Sequence, residues 1–262
     1  MTSSPLMALY AQRLGTPIHI GANADVLRHL HSKHQQMIPF ENLWIRKGVD
    51  LSLSQEDLIE KLLLNNNGGF CYELNLLFRD LLAQMHFRTR LISGRVFSKK
   101  GLIGPAYDHM AMCVDLTGKK YLVDVGFGGF SATPVPMVLN AIHQDQGQFY
   151  RVRNWDEQFK VVEKSRDGIH FSPLYLFDCV PRTVEEFQPM FQFHQRSELS
   201  LFTQKTIVSK ITSEGRITLT DSSLIITDAR GKRIIRMDDT STFSTLLGLH
   251  FGITLPQKQQ MA

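Results

Sequence analysis

The repeat of apolar residues changes once along this chain, and that change limits what it can fold into. Up to Met85 apolar positions recur at three- and four-residue steps, whereas beyond residue 86 they alternate. Leu27, Leu30 and Met37, with His34 between them, predict a helix from residue 24 that stops before Pro39, since the residue preceding a proline is pushed out of the helical region. Ser54 is placed to cap a second helix, with Asp57 at its third position, Leu58, Leu62 and Leu63 on its buried side, and residues 65–69 ending it. Leu74, Leu77, Phe78, Leu81, Leu82 and Met85 form one stripe, so a third helix runs from about Phe70 to Met85. Thereafter RTRLISGRVF, HMAMCVDL, KYLVDVGF and QFYRVRNW read as strands, and KTIVSKIT, GRITLT, SLIITD and RIIRMDD as a four-strand meander. A last helix, capped by Thr240 or Ser241 and ended by Gly252, carries Phe243, Leu246, Leu247 and His250 on one side; the tail PQKQQMA has no evident constraint.

With 262 residues, 43% of them apolar, the chain can fill a sizeable core. Its 29 Lys and Arg against 25 Asp and Glu leave +4 without a block of like charge, which does not indicate nucleic acid. The first residues lack the basic start and apolar stretch of a secretory signal, and no apolar run reaches membrane-spanning length. Three widely spaced cysteines, Cys71, Cys113 and Cys179, argue against a disulfide framework, so reduced thiols in a cytoplasm are expected.

One of those thiols stands out. In GGFCYELN, residues 68–75, Cys71 follows a glycine pair and heads the third helix, where unpaired backbone N–H groups favour negative charge by roughly 0.3–1 kcal/mol. A nucleophilic cysteine needs more, normally a histidine that takes the proton and remains as its partner. In HLHSKH, His29, His31 and His34 suggest a metal, yet they share no helix face and lack a Cys or carboxylate at ligand spacing. They read as a solvated helix flank with one core histidine, and no metal is expected. His109 opens the strand 109–116, which Thr117-Gly118 folds back onto residues 120–126. With a two-residue loop, His109 faces Gly126 and Asp124 is its diagonal neighbour on the same face. Asp124 can then accept from one ring nitrogen and leave the other for Cys71. Each residue also has a structural reading: Cys71 extends the Leu74 and Phe78 stripe, His109 can be a hydrogen-bonded barrel residue, and Asp124 can end a ladder or pair with a lysine.

GGFCYELN, DHMAMCVDL and YLVDVGFG, in that order, resemble the three catalytic motifs of the arylamine N-acetyltransferase family. LRHLHSKHQQMIPFENL resembles its N-terminal signature, and GRITL and FGITL its C-terminal region. The resemblance implies an α+β fold, in which an N-terminal helical bundle (1–85) and an antiparallel β-barrel (86–195) form a cysteine-protease-like core under a C-terminal α/β lid (196–262). It implies ping-pong transfer of acetyl from acetyl-CoA to an aromatic amine, hydrazine or hydroxylamine, with Cys71 as nucleophile, His109 as general base and Asp124 as its orienting partner. By the same resemblance Phe40 and Phe127 line the acceptor pocket, and coenzyme A enters beside the loop 98–107, with Lys99, Lys100, Gly101 and Gly104 near its phosphates. Cys113 and Cys179 are expected to be dispensable. The implied protein is a monomer or weak homo-oligomer that binds neither nucleic acid nor membrane.

One position departs from the family. An arginine usually precedes the glycine pair, and here it is Asn67, whose neutral amide cannot supply the cation for Glu41 of the PFENL stretch. Asn67 is expected to hydrogen-bond instead and to leave the loop softer. Two alternatives follow from the same residues: an amide synthase of this fold that joins an acyl chain to an aryl amine, and a weakly catalytic xenobiotic-binding or thiol-sensing protein.

Overall fold

Helices come first along the chain in a computed structural model that describes residues 4–18, 20–237 and 239–255. They are α1 (Pro5–Leu14), α2 (Ala24–Met37), α3 (Leu43–Arg46), α4 (Gln55–Ile59) and α5 (Cys71–Gln84), with a two-residue strand β1 (Phe40–Glu41) after α2. The helix α1 was not expected from periodicity, although Ser4 caps it, Pro5 opens its first turn and Gly15, at φ 62°, closes it. Asn23 caps α2 through the Val26 N–H. Ser54 caps α4 through the Asp57 N–H, but the chain then widens into a π-helical turn over Glu60–Leu64 before ending at Asn65. Buried residues surround α5 on all sides through its first two turns, so it is the central helix rather than a surface amphipath.

Eight strands follow: β2 (Arg88–Val96), β3 (His109–Leu116), β4 (Lys119–Val123), β5 (Val135–Pro136), β6 (His143–Asp145), β7 (Gln148–Asn154), β8 (Lys160–Ser165) and β9 (Ser172–Phe177). They form one antiparallel sheet in the order β5-β4-β3-β2-β9-β8-β7-β6, curled so that a bridge from Leu139 to Val152 brings its ends towards each other. The expected strand 120–127 stops at Val123, and β5, β6, β8 and β9 were not expected. Alternation along β3 serves two cores, because Met110, Met112 and Val114 pack with the α5 side chains while Ala111 and Cys113 face the barrel interior with Ile92, Leu122 and Tyr175. This double burial fixes α5 against the strand that carries His109.

The chain then forms α6 (Gln188–Arg196), α7 (Leu201–Gln204), β10 (Ile207–Ile211), β11 (Gly215–Thr220), β12 (Ser223–Asp228), β13 (Gly231–Arg236) and α8 (Thr240–Phe251). The unexpected α6 returns to the helical layer, where Phe191 stacks on Phe70 at a centroid distance of 5.4 Å. The meander lies as expected, and β1 extends it into a five-stranded sheet, β1-β10-β11-β12-β13. Asp239, rather than Thr240 or Ser241, caps α8, its carboxylate accepting from the Thr242 N–H at 2.7 Å. Gly252 closes that helix at φ 68°. The tail PQKQQMA lies outside the described residues. The fold is α+β, a helical bundle and an antiparallel barrel with a second antiparallel sheet and a terminal helix.

Candidate active site

The hairpin β3–β4 has the register that a two-residue loop demands, from Leu116 opposite Lys119 to Met112 opposite Val123. Thr117 and Gly118 both adopt positive φ, 48° and 80°, as a type I′ turn requires. The chain past β4 then brings Asp124 onto His109, whose Nε2 lies 2.7 Å from Asp124 Oδ2. The remaining ring nitrogen, Nδ1, is left for the Cys71 thiol, which is near enough to raise the imidazole's proton affinity. Cys71 is the first residue of α5, 3% exposed, and its N–H has no hydrogen-bond partner among the described residues.

Asp124 is fully buried, and every lone-pair direction of its carboxylate is used. Oδ2 accepts from His109 and from the Tyr175 hydroxyl at 2.9 Å; Oδ1 accepts from Asn75 Nδ2 at 3.0 Å and from the Gly126 N–H at 2.9 Å. Burial alone would raise its pKa, but the charge and hydrogen bond of His109, with Asn75 and Gly126, hold it below the usual carboxylate range. Burial would likewise lower His109, and it is outweighed by the Asp124 charge and hydrogen bond and then by Cys71, so the imidazole is raised above its ordinary value. The imidazole is thus built to exist as a cation beside the buried Asp124 carboxylate.

Three further residues set this geometry, none singled out from the sequence. Asn75 lies one turn beyond Cys71 on the same helix and ties α5 to both hairpin ends, since Nδ2 also donates to the Met110 carbonyl at 2.7 Å and Oδ1 accepts from the Val125 N–H at 2.9 Å. Its spacing from Cys71 was the available signal. Tyr175 sits on β9, where no such signal existed. Gly126 lets the turn after Asp124 touch the nucleophile: a Cβ there would lie 2.6 Å from Cys71 Cα and 2.7 Å from Asn75 Nδ2.

Behind this network His31 is fully buried, its Nδ1–H donating to the Ala132 carbonyl at 2.9 Å and its Nε2 accepting from the Asp124 N–H at 3.2 Å. His34 is buried as well, so α2 carries two core histidines rather than one. They lie three residues apart on one face, while His29 is exposed, so the three histidines do not share a face, as expected. Among the described residues no group of His, Cys, Asp and Glu is arranged to hold a metal.

The loop ahead of Cys71 is held by backbone and by charge. Gly69 accepts from the Glu41 N–H at 2.8 Å, and a Cβ on Gly68 would sit 2.2 Å from the Pro39 carbonyl oxygen. Glu73 reaches back to the Phe70 N–H at 3.0 Å, capping α5 one residue before the nucleophile. The cation between the buried carboxylates is Lys61, 2.7 Å from Glu73 and 3.3 Å from Glu41. The cation that Asn67 cannot supply to Glu41 thus comes from the π-helical turn, which brings a lysine to the place. The Asn67 side chain makes no hydrogen bond among the described residues; it lines a cavity of about 290 Å³ beside Lys61 and Glu73.

Phe40 and Phe127 line a narrow crevice of about 10 Å³ together with buried Gly126, the residue in contact with Cys71. The Phe127 ring is 5.2 Å from that of His109. By contrast, Lys99 and Lys100 are exposed in the β2–β3 loop, and the N–H groups of Gly101 and Gly104 are already bonded to the carbonyls of Ser98 and Val96. A larger cavity of about 700 Å³ lies between the barrel and the second sheet and shares Gly128 and Arg216 with the crevice. Lys164 and Arg216 line it without an ion pair among the described residues. Burial, and after it the charges of Arg216 and Arg166, push Lys164 down to about 8, and burial lowers Arg216 to about 10. No helix among the described residues is long and apolar enough to cross a membrane.

Comparison with known proteins gives the same family as the motifs. An N-acetyltransferase family model matches residues 23–260. The arylamine N-acetyltransferase of Escherichia coli K12 is 31% identical over 70% of this chain, an alignment that spans 65% of the length of that enzyme. Among solved structures, the arylamine N-acetyltransferase of Mycobacterium marinum in complex with CoA superposes with a TM-score of 0.87 at 29% identity, covering 94% of this chain and 92% of that one. A Bacillus cereus arylamine N-acetyltransferase described as having a Cys-His-Glu catalytic triad gives 0.88 at 27% identity, over 97% of this chain and all of its own.

Proposed function

The chain belongs to the arylamine N-acetyltransferase family, and from that premise we propose that it moves acetyl from acetyl-CoA to an aromatic amine, hydrazine or hydroxylamine through a thioester on Cys71. The observation that carries this reading is the buried relay itself: a helix-start thiol, an imidazole beside it, and a carboxylate 2.7 Å from the imidazole whose four donors prevent it from turning.

In the first half-reaction the Cys71 thiolate attacks the thioester carbonyl, the C–S bond to coenzyme A breaks, and the His109 imidazolium gives its proton to the leaving thiolate, which departs as the thiol. In the second the amine attacks the acetyl-cysteine, His109 takes the amine proton, and the thiolate is released beside its imidazolium. Asp124 remains ionised throughout and keeps the ring oriented. The unpartnered Cys71 N–H is one donor for the tetrahedral oxyanion, a role worth roughly 3–4 kcal/mol per donor in acyl transfer. Asp124 fills the third position of the triad, where the Bacillus cereus protein is described with glutamate.

Phe40 and Phe127 form the aromatic walls for the acceptor beside Gly126. For the coenzyme's phosphates the larger cavity is better supported than the loop with Lys99, Lys100, Gly101 and Gly104. Its cations Lys164 and Arg216 have no carboxylate ion-pair partner among the described residues and it shares Gly128 and Arg216 with the crevice, whereas the loop glycines have no N–H to offer. The test is initial-rate kinetics with both substrates varied, for the wild type and for Asp124→Asn. Parallel double-reciprocal lines, a single equivalent of coenzyme A released without acceptor, and near-complete loss in the variant are expected. Continuous release without amine would indicate a hydrolase, and no release at all a binding or thiol-sensing protein. Turnover with longer acyl thioesters but not with acetyl-CoA would indicate an amide synthase.

A further inference from the structure

Two buried carboxylates share one cation beside the loop that leads to Cys71. Glu41 and Glu73 are each 1% exposed, and among the described residues Lys61 is the only cation ion-paired with either, 3.3 Å from Glu41 Oε1 and 2.7 Å from Glu73 Oε1. One negative charge is left without a counterpart in a place where charge is costly. The imbalance shows on both carboxyl groups. Burial first, with the Glu41 charge adding to it, holds the Glu73 carboxyl above its usual range in spite of Lys61. Glu41 Oε1 has no hydrogen-bond partner.

The cavity of about 290 Å³ lies against Lys61 and Glu73. A water's share of liquid volume is about 30 Å³, so the space is larger than one or two waters fill. Asn67 is 8% exposed, and its amide lines this cavity without a hydrogen bond to any described residue. Lys61 cannot serve it, because the three ammonium donors already go to Glu41 and to the two Glu73 oxygens, the latter at 2.7 and 3.0 Å. A buried amide in that state calls for a bound group.

The rest of the lining specifies its chemistry. Exposed Asp57 and Glu60 add carboxylates, and Lys61 is the only cationic side chain in the wall, so the cavity favours positive charge. Asp50 also lines it but is ion-paired with Arg196 at 2.9 Å. No group of side chains among the described residues is arranged to hold a metal ion. The half-buried Trp44 indole supplies an aromatic wall, with Leu51 beside it in the lining. A guanidinium suits such a place, since it stacks on indole, presents a planar fork of N–H donors to carboxylate and amide oxygens, and gives up water more readily than an ammonium.

We propose that this cavity is a binding site for a small guanidinium cation, which stacks on Trp44, donates to Asn67 Oδ1 and to Glu73, and supplies the second positive charge that Glu41 and Glu73 lack. The site shares no lining residue with the crevice or with the larger cavity, so it is separate from the acyl-transfer site. Because Glu73 also caps α5 through the Phe70 N–H at 3.0 Å, an occupied site tightens the loop ahead of Cys71.

The experiment titrates the Trp155→Phe protein, in which Trp44 is the only tryptophan, with methylguanidinium up to about 20 mM at fixed ionic strength, reading indole emission and melting temperature together. A saturable change in emission and a higher melting temperature are expected. Urea, a neutral planar analogue, should produce neither at the same concentrations, and ethylammonium should bind at least about fivefold more weakly. Asn67→Arg, added to that background, places a tethered guanidinium in the cavity; it should melt higher than its parent without ligand and lose the response to methylguanidinium. Glu60→Gln, at an exposed position, should fold normally and weaken binding severalfold. The assignment is overturned if methylguanidinium gives no saturable response or if urea or ethylammonium matches it. It is also overturned if the response persists in folded Asn67→Arg or is undiminished in Glu60→Gln.

Discussion

Replacing Gly126 with alanine should disable the nucleophile without removing any catalytic group. The added Cβ would lie 2.6 Å from Cys71 Cα, 2.7 Å from Asn75 Nδ2 and 3.1 Å from Cys71 Cβ. Ordinary van der Waals contact begins at 3.4 Å, so either the head of α5 or the turn after Asp124 has to retreat by about 0.8 Å. Both are pinned, α5 by apolar packing on all sides and the turn by four hydrogen bonds to the Asp124 carboxylate. Overpacking of this kind costs about 1–3 kcal/mol of stability, and misplacing reacting groups by about 1 Å costs on the order of 100-fold in rate. The assay is single-turnover acetylation of the protein by acetyl-CoA, run beside thermal melting, with Gly21→Ala as control because nothing lies within 4 Å of a Cβ there. A folded Gly126→Ala protein that acetylates within threefold of wild type would refute the claim that close approach at this glycine sets the position of the sulfur.

Other outcomes follow from the same contacts. Tyr175→Phe and Asn75→Ala each remove a donor from a buried carboxylate, so each should lower stability by about 1.5–3 kcal/mol in urea titration and slow acyl transfer, with Asn75→Ala the worse because it also frees the Met110 carbonyl and the Val125 N–H. Lys61→Met strands two buried carboxylates and should cost about 3–5 kcal/mol; adding Asn67→Arg, whose side chain has the neighbouring cavity to occupy, should restore most of the melting temperature. Buried His31 is lowered to about 4 by burial first, against the opposing pull of Ala132 and Asp124. The unfolded chain therefore binds its proton first, so His31 contributes stability that is intact above about pH 6.5 and lost as pH falls towards 4, by about 3 kcal/mol, a dependence that urea midpoints should show shrinking in His31→Gln.

Much of the site was legible because it depends on local geometry. Thr117-Gly118 dictates a two-residue loop, the loop dictates the register, and the register puts Asp124 beside His109. Cys71 was legible from the glycine pair before a strongly striped helix. What stayed hidden depends on the rest of the fold. Tyr175 sits in a short strand behind Ser172-Pro173 that shows no alternation. Lys61, in EKLLL, reads as a solvated helix position, and nothing local announces the π-helical turn that buries it between Glu41 and Glu73. His31 looked like part of a helix flank because the barrel segment that covers it, Asp124 to Ala132, is about a hundred residues away in sequence, and His34 because Tyr10 and Phe78, which pack on it, belong to other helices.

The central claim is that a particular sulfur becomes acylated because an oriented imidazole keeps it reactive. Intact-mass measurement after mixing with acetyl-CoA, followed by digestion, addresses it directly. One added acetyl, about 42 Da, should appear on the peptide containing Cys71, disappear when an aryl amine is supplied, and be missing in His109→Ala. An adduct on Cys113 or Cys179, or none on the wild-type protein, would contradict it.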